Sequence, residues 1–359
     1  QLIIQLIGIR NSQKNKICLI FPYNKLKIIL LKQVYLMLNG YKNTMSKIII
    51  TGASGFIGSN LVKKNFKKKE IHVFTRKNSN LWRLKDIKSE INIHQINFEN
   101  KSKIQSTINK IKPDYVFHLG TYGGYPFQQD LKTVVDSNIV NSVNLMQAFS
   151  EYGRLEKFVN IGSSSEYGPK TKPMKETDLA SPIFPYGIAK LTQTNFAKYF
   201  FIKNGLPSVT LRLFSVYGPL EEPGRLIYDI MISILRKNIL KLASKKAKRD
   251  NIYVDDVIDV INKISNTSNN EGEIFNVGTG KEYSVEEIIK SVQSKLKKDL
   301  NISWGNIEKQ RIFETNNPWI ADISKIKKEL KWNPKINLEK GISKTFEWYK
   351  KNMYMYKSK

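Results

Sequence analysis

A tyrosine and a lysine four positions apart, Tyr186 and Lys190, are the residues best suited to move a proton. Residues at i and i+4 share one face of a helix, so the two side chains would lie together. A tyrosine with its ordinary pKa of about 10 is a poor base at neutral pH, and a nearby ammonium group that stabilises the phenolate makes it useful. The pair therefore predicts acid–base chemistry on one helix, with Lys190 also holding the ribose of a nicotinamide cofactor.

A glycine-rich loop, TGASGFIG at residues 51–58, follows a β-rich run and opens a helical pattern. Gly52 permits a tight turn, Gly55 lets the backbone approach a pyrophosphate, and Gly58 lets the helix pack closely on the sheet. The first helical N–H groups, at Phe56 and Ile57, would face the phosphates at the positive end of the helix dipole. The loop predicts a dinucleotide site, and the competing interpretation is a set of glycines that only closes a β-to-α turn.

The end of the second predicted strand indicates which dinucleotide binds. NAD-binding proteins of this type carry an acidic residue there, about twenty residues after the loop, which grips the ribose 2′-hydroxyl. This chain has Thr75, Arg76 and Lys77 instead. A guanidinium such as that of Arg76 would pair with a 2′-phosphate, so NADP is favoured over NAD. The alternative is that Arg76 and Lys77 are ordinary surface charges.

Strand and helix patterns alternate from Lys47 onward. The predicted strands are short apolar runs at Lys47–Thr51, Ile71–Thr75, Ile93–Asn97, Tyr115–Leu119, Lys157–Gly162 and Ser208–Leu213. Helical patterns lie between them at Phe56–Phe66, Ser102–Ile111, Leu131–Tyr152 and Tyr186–Lys203. This order predicts an α/β fold of the Rossmann type, a doubly wound parallel sheet with a smaller C-terminal mixed α/β lobe that binds substrate.

The predicted organisation has three parts. Residues 45–218 form mainly the dinucleotide-binding domain, and residues 219–359 form mainly the substrate-binding lobe, with some segments that return to the first domain. Residues 1–44 are expected to be an extension from an over-long reading frame, with translation starting at Met45. An amphipathic anchor on a membrane surface is the alternative, since no apolar run there reaches the roughly 20 residues that cross a bilayer.

Composition limits the partners that the chain can have. The chain has 359 residues, 41% of them hydrophobic, and a formal net charge of +28. Such a charge attracts nucleic acids, but the lysines are spread over nearly every segment, which is typical of a codon bias and favours no nucleic-acid function. One cysteine, Cys18, allows no intrachain disulfide and fits the cytoplasm. Three histidines without ligand spacing predict no metal site.

Further motifs follow these residues in a fixed order along the chain, and together they resemble one family. The chain is similar to extended short-chain dehydrogenases/reductases, specifically the NAD-dependent epimerase/dehydratase family that acts on sugar nucleotides. The resemblance covers Lys47 to Tyr349 and rests on the glycine loop, the Tyr–Lys pair and the following segments. They are HLGT at 118–121, GSSSEYG at 162–168, RLFSVYGP at 212–219, RD at 249–250 before YVDD at 253–256, FNVG at 275–278 and LKWNP at 330–334.

The resemblance implies a role for each catalytic residue. Ser163 stands where the family has the Ser or Thr that hydrogen-bonds the reacting sugar oxygen, with Tyr186 as acid/base and Lys190 as its partner. Family dehydratases have an acidic residue two positions after that hydroxyl, and this chain has Ser165 there. Elimination then lacks its general acid, which argues against a dehydratase. Glu166 lies one position further on and is expected to point elsewhere.

The resemblance also implies contacts to substrate and cofactor. Arg249 and Arg311 stand near positions that hold the sugar-nucleotide diphosphate, and Ser164 faces the sugar. Ser215 occupies a position where the family often has an Asn on the diphosphate. Asn97 occupies one where an Asp often contacts the adenine, and Leu119 ends the fourth strand beside the cofactor.

Two enzyme reactions fit this set, and both use the same residues. The first is an NADP(H)-dependent reductase of a nucleotide-linked 4-keto-6-deoxyhexose, and the alternative is a sugar-nucleotide 4-epimerase that retains NAD. A third interpretation is a non-catalytic protein that senses a dinucleotide or binds nucleic acid, although a sensor needs no acid–base pair. The resemblance further implies a homodimer formed by the helices at 131–152 and 186–203, and a place in nucleotide-sugar metabolism for polysaccharide biosynthesis.

Overall fold

A computed structural model of the chain describes residues 45–125, 127–305 and 317–356. The predictions for residues 1–44 and for Arg311 lie outside these ranges. Residues from Met45 onward cluster into one compact unit. Among the described residues, no helix is both long and apolar enough to cross a membrane.

The main sheet has seven parallel strands in the order β10-β6-β5-β4-β1-β2-β3. Its strands are β1 (Lys47–Thr51), β2 (Glu70–Thr75), β3 (Asn92–Gln95), β4 (Tyr115–His118), β5 (Lys157–Ser163), β6 (Ser208–Leu213) and, much later in the chain, β10 (Ile274–Val277). The chain winds outward from β1 to β3, crosses back to β4 and winds the other way. The reversal between β1 and β4 is the crevice where doubly wound sheets bind ligands.

Helices cover both faces of this sheet. In chain order they are α1 (Phe56–Asn65), α2 (Lys101–Ile111), α3 (Leu131–Val135), α4 (Asn141–Tyr152), α5 (Pro185–Asn204), α6 (Leu226–Arg236), α7 (Val254–Ser265), α8 (Val285–Leu296), α9 (Ser324–Leu330) and α10 (Leu338–Asn352). Alternate residues of β1 join separate cores, since Ile48 and Ile50 pack on one face and Ile49 on the other. The strand period of two therefore fills two apolar layers at once. The prediction of a Rossmann-type α/β fold is confirmed.

The C-terminal part contributes two small sheets beside the main one. Their strands are β7 (Ser215–Tyr217), β8 (Leu240–Leu242), β9 (Lys248–Tyr253), β11 (Glu282–Ser284) and β12 (Ile302–Trp304), paired as β11-β9-β7 and β12-β8. The strand at 274–277 returns to the main sheet beside β6. The position of a domain boundary near residue 218 stays a prediction.

One predicted helix is broken in the structure. The pattern at 131–152 forms α3 and α4, with a π-helical turn at Asp136–Val140 between them. Such single π turns often mark functional sites. Here the turn carries Asn138, which is fully buried and bonds the loop after β4. Apolar side chains on the outer faces of these helices and α5, including Leu131, Ile188 and Ile202, are exposed. The homodimer stays a prediction that sedimentation equilibrium would test.

The glycine loop supplies a test of how tightly β1 and β4 approach each other. Gly52 has a φ of +69°, and a Cβ there would lie 2.5 Å from the carbonyl carbon of Leu119. Gly205 has a φ of +71°, but nothing lies within 4 Å of its Cβ position. We expect Gly205→Ala to lower the free energy of unfolding by about 1 kcal/mol through backbone strain alone, and Gly52→Ala by about 3 kcal/mol or more. Urea unfolding followed by tryptophan fluorescence measures both, and equal losses would show that the loop has room to spare.

Candidate active site

A single cleft of about 1250 Å³ runs along the carboxyl edge of the main sheet. It extends from the glycine loop, past Tyr186, to Arg249 and Trp319 in the C-terminal part. Ordinary ligand pockets have volumes of about 300–1,000 Å³. This cleft is larger, so it has room for a dinucleotide and a second ligand side by side.

The start of α1 fits the phosphates of a dinucleotide. A Cβ on Gly58 would lie 2.3 Å from the carbonyl oxygen of Gly52, so only glycine lets α1 start this close to β1. Gly55 is the N-cap of α1, and Gly55, Phe56 and Ile57 all line the cleft. The first turn of the helix carries no acidic residue. Its N–H groups and dipole are therefore available to an anion without a competing carboxylate.

Thr51 and His118 join the ends of β1 and β4 beneath the cleft. The Thr51 hydroxyl lies 2.7 Å from His118 Nδ1 and accepts a hydrogen bond from the Gly120 amide at 3.1 Å. His118 Nε2 lies 2.8 Å from the Ser142 hydroxyl. Burial lowers the pKa of His118 to about 3, and the positive charge of Lys190 lowers it further in the same direction. The imidazole is therefore neutral over the working pH range.

Tyr186 and Ser163 are brought together, as the sequence predicts. Hydrogen bonds join the Tyr186 hydroxyl to the hydroxyls of Ser163 and Thr121. Burial raises the pKa of Tyr186, and the Ser163 bond and the Arg225 guanidinium oppose that rise. Gly123 and Gly124 lie against the tyrosine ring, where Cβ atoms would come within 3.4 and 3.8 Å of it. The reactive hydroxyl thus sits in a confined polar site.

Lys190 lies directly below this hydroxyl pair in sequence and is buried. Its Nζ donates to the backbone carbonyl of Ile161 on β5 and, at 2.6 Å, to Oε1 of Gln193 on its own helix. Burial lowers the pKa of Lys190 to about 8, and the negative charge of Glu166 opposes that change. Arg225, rather than Lys190, is the cation that acts most strongly on Tyr186 in this structure.

Glu166 points away from the cleft, as expected. Its Oε1 accepts from the Ser163 amide at 2.8 Å, and its Oε2 accepts from Arg212 Nε at 2.7 Å. The Ser163 hydroxyl accepts from the Ser165 amide in return, which closes a capping box around the turn at Ser164–Glu166. A fully buried carboxylate paired with Arg212 fixes the serine segment and is held too firmly to act as an acid on the sugar.

The far end of the cleft contains the residues predicted to bind the diphosphate. Arg249 on β9 lines the cleft with its guanidinium 5.1 Å from the Trp319 ring, and Ser215 lies on the same lining. The indole of Trp319 donates to the Ser164 hydroxyl at 2.9 Å. The next residue after Arg249, Asp250, is fully buried and accepts from the Thr279 and Gly280 amides. Alternation along β9 therefore turns Arg249 to the ligand side.

The adenosine end agrees with the sequence prediction only in part. Leu119 and Arg76 line the cleft, and Arg76 is exposed at the end of β2. Asn97 does not line it, because its side chain turns back to accept a hydrogen bond from the Glu99 amide at 3.1 Å. The next residue, Phe98, is on the lining instead. Asn97 stands two residues beyond the end of β3, where the loop has already turned.

Several residues at the site escaped sequence reasoning. Thr121 contacts Tyr186 and donates to Asn138 at 2.7 Å, and its only signal was its place at the end of the HLGT segment. Arg225 stands at the N-cap of α6, with its guanidinium 4.8 Å from the Tyr125 ring. Gln193 contacts Lys190 from the next helical turn. These contacts join segments distant in sequence or depend on side-chain direction, so no motif announces them.

Two histidines that are far apart in sequence also meet. His72 Nδ1 lies 2.9 Å from His94 Nε2 across β2 and β3, and Glu70 bonds the other nitrogen of His72. Burial lowers the pKa of both imidazoles. No group of three possible ligands that could hold a metal ion occurs in the described ranges.

The doubly wound sheet, the glycine cradle and the Ser–Tyr–Lys set define a dinucleotide-dependent enzyme of the extended short-chain dehydrogenase/reductase class. The model of the NAD dependent epimerase/dehydratase family matches residues 48–278, which is more than half of the chain. The chain belongs to this family.

Three relatives illustrate the range of reactions in the family. The chain is 29% identical to a UDP-glucuronate 4-epimerase of Thermodesulfobacterium geofontis over 88% of this chain and 99% of that protein. It is 26% identical to a dTDP-glucose 4,6-dehydratase of Salmonella typhimurium, covering 85% and 93%. A crystal structure of UDP-glucuronic acid 4-epimerase from Bacillus cereus, in complex with UDP-glucuronic acid and NAD, has a TM-score of 0.75, 26% identity and coverage of 85% and 99%.

The acid sensitivity of the fold should depend on His118. Its pKa of about 3 in the fold lies below the ordinary value of 6.5, so the stability it contributes is present above pH 6.5 and is lost as the pH falls below that value. Between pH 7 and pH 5 this group should lower the free energy of unfolding by about 2 kcal/mol. Urea unfolding of the wild type and of His118→Asn at both pH values measures the difference. His72 and His94 titrate in both proteins, so an equal loss in the two proteins would contradict the prediction.

Proposed function

We propose that this chain is an NADP(H)-dependent reductase of a nucleotide-linked 4-keto-6-deoxyhexose. The observation that supports it best is the site itself: Ser163, Tyr186 and Lys190 surround a confined position on the cleft, while Ser165 replaces an acid that elimination would need. Glu166, the nearest carboxylate in sequence, is paired with Arg212. The set therefore suits the addition or removal of a hydride and a proton at a sugar carbon, without loss of water.

The proton step follows from the contacts of Tyr186. Its hydroxyl donates a proton to the oxygen of the keto group, which becomes a hydroxyl. The Ser163 hydroxyl hydrogen-bonds the same oxygen and holds the carbonyl in place. The bound nicotinamide supplies the hydride to the carbon. Arg225 and the hydroxyls around Tyr186 stabilise the phenolate that remains, until a proton from solvent restores it.

Lys190 and the glycine loop would hold the cofactor. Two of the three Lys190 N–H donors are used inside the protein, which leaves one for the nicotinamide ribose. The backbone around Gly55 and the N-terminus of α1 would receive the pyrophosphate. At the other end of the cleft, the guanidinium of Arg249 suits the diphosphate of the sugar nucleotide.

A sugar-nucleotide 4-epimerase is the second candidate, because the printed names of the relatives favour it. The Thermodesulfobacterium and Bacillus proteins are 4-epimerases that share the length of this chain. An epimerase would use the same Tyr186 as base and then as acid, with retained NAD. The two candidates differ in whether the cofactor is consumed.

Stoichiometry separates the two candidates. Purified protein should oxidise one NADPH, followed at 340 nm, for each molecule of a 4-keto-6-deoxyhexose nucleotide that disappears. Tyr186→Phe should lower kcat by about 10³-fold, since general acid catalysis contributes about 10²–10⁴-fold, with little change in cofactor affinity. Tyr199→Phe, at a half-exposed position of the same helix, is the control and should retain full activity. Interconversion of 4-hydroxy sugar nucleotides without net NADPH oxidation would replace the reductase by the epimerase.

The NADP preference depends on Arg76. Replacement by Asp removes a partner of the 2′-phosphate and adds a carboxylate for the ribose 2′-hydroxyl. We expect Arg76→Asp to raise the dissociation constant of NADPH by about 10-fold or more and to lower that of NADH, as one lost charge-assisted hydrogen bond is about 1.5–3 kcal/mol. Lys68→Asp makes the same change of charge at an exposed position after α1 and is the control. Equal affinities for NADPH in the wild type and Arg76→Asp would exclude this role.

A further inference from the structure

Gln193 contacts the Lys190 ammonium from inside the protein. The two residues are three positions apart on α5, and Gln193 Oε1 accepts from Lys190 Nζ at 2.6 Å. Gln193 is fully buried, and Lys190 is only 2% exposed. A buried amide oxygen beside a buried ammonium is a strong acceptor, because no water competes for the bond.

The orientation of the Gln193 amide is determined by a second buried amide. Gln193 Nε2 donates to Asn160 Oδ1 at 2.7 Å, and Asn160 Nδ2 donates to the Thr210 hydroxyl at 3.1 Å. Asn160 lies in the middle of β5, and Thr210 is opposite it on β6. Because each amide has one donor end and one acceptor end, this chain of bonds requires the Gln193 oxygen to face Lys190.

The second acceptor of the ammonium is also part of the frame. Nζ donates to the carbonyl oxygen of Ile161, the residue after Asn160 on β5. One strand therefore provides one acceptor directly and the support of the other acceptor through Asn160. Two of the three N–H donors are fixed, and the direction of the third follows from tetrahedral geometry.

We propose that Gln193 is a positioning residue, oriented by Asn160 and Thr210, that holds the Lys190 ammonium charged and aimed at the cofactor ribose. The proposal rests on the proposed function only in that Lys190 contacts a nicotinamide cofactor. Nothing in the sequence pattern around the Tyr–Lys pair indicates this role, because Gln193 is the third residue after Lys190 in an otherwise ordinary helix.

The electrostatic surroundings make the role necessary. Burial lowers the pKa of Lys190 to about 8, close to neutral pH. The groups that face it from the packed elements are Glu166 of the serine turn, which raises its pKa, and His118 of β4, which is neutral; Tyr186 lies one turn away on the same helix. The Glu166 carboxylate is shared with Arg212. Loss of the Gln193 acceptor should therefore let the ammonium deprotonate at a lower pH.

Two variants of opposite sign test the proposal. Gln193→Met keeps a long side chain but removes the acceptor, and Gln193→Glu keeps an acceptor and adds negative charge. The first readout is the dissociation constant of NADPH against pH, measured by nicotinamide fluorescence, and the second is kcat/KM against pH. In the wild type, affinity should weaken at alkaline pH as Lys190 loses its proton. We expect that alkaline limit to fall by about one pH unit in Gln193→Met and to rise in Gln193→Glu.

Thermal unfolding and a distal variant complete the test. Thr210→Val breaks only the far end of the bond chain, so its alkaline limit should lie between those of the wild type and Gln193→Met. Folded Gln193 variants with an alkaline limit equal to that of the wild type would overturn the proposal. If Gln193→Met does not fold, the direction of the shift in Gln193→Glu decides alone. Opposite shifts in cofactor binding without turnover of any sugar nucleotide would uphold this role and reject the proposed reaction.

Discussion

The hydrogen bond between the Thr51 hydroxyl and the His118 imidazole lies at the point on which the site depends. It joins the ends of β1 and β4, the two strands between which the sheet reverses direction. The glycine loop follows the first strand, and the loop that carries Thr121 follows the second. A neutral His118 is required for this bond and for the one to Ser142. The crevice between the two halves of the sheet is thus held open at one width, which sets the distance between the cofactor loop and Tyr186.

Burial of charge is the second constraint on the site. Lys190, Glu166 and Arg212 are all buried below the cleft, and each needs partners, because an unpaired charge in the interior is costly. Arg212 pairs with Glu166, and Lys190 donates to Ile161 and Gln193. These partners hold Ser163 and Lys190 in fixed positions while Tyr186 reaches the cleft. The rigid part of the site is therefore polar and buried, and the ligand-facing part is a thin layer above it.

Much of the fold and of the chemistry was predictable because the signals are local. The glycine spacing, the i and i+4 relation of Tyr186 and Lys190, and the alternation of short apolar runs with helical patterns each lie within one segment. Their order along the chain then identified the parallel sheet and its carboxyl edge. The prediction for Asn97 went less well, because the residue stands beyond a strand that ends earlier than its pattern indicates, and its side chain turns back on the loop.

The amino-acid sequence by itself determined the Rossmann-type sheet, the position of the cofactor loop and the pair that handles the proton, since these follow from the period of the strands and helices and from short spacings. Only the tertiary structure decided that Glu166 is buried against Arg212, that Arg225 is the cation acting on Tyr186, and that Gln193 and Asn160 support Lys190. The physical reason is that these contacts depend on the direction of each side chain within a packed interior and on strands brought together over long stretches of chain. Neither is written in the local pattern of residue types.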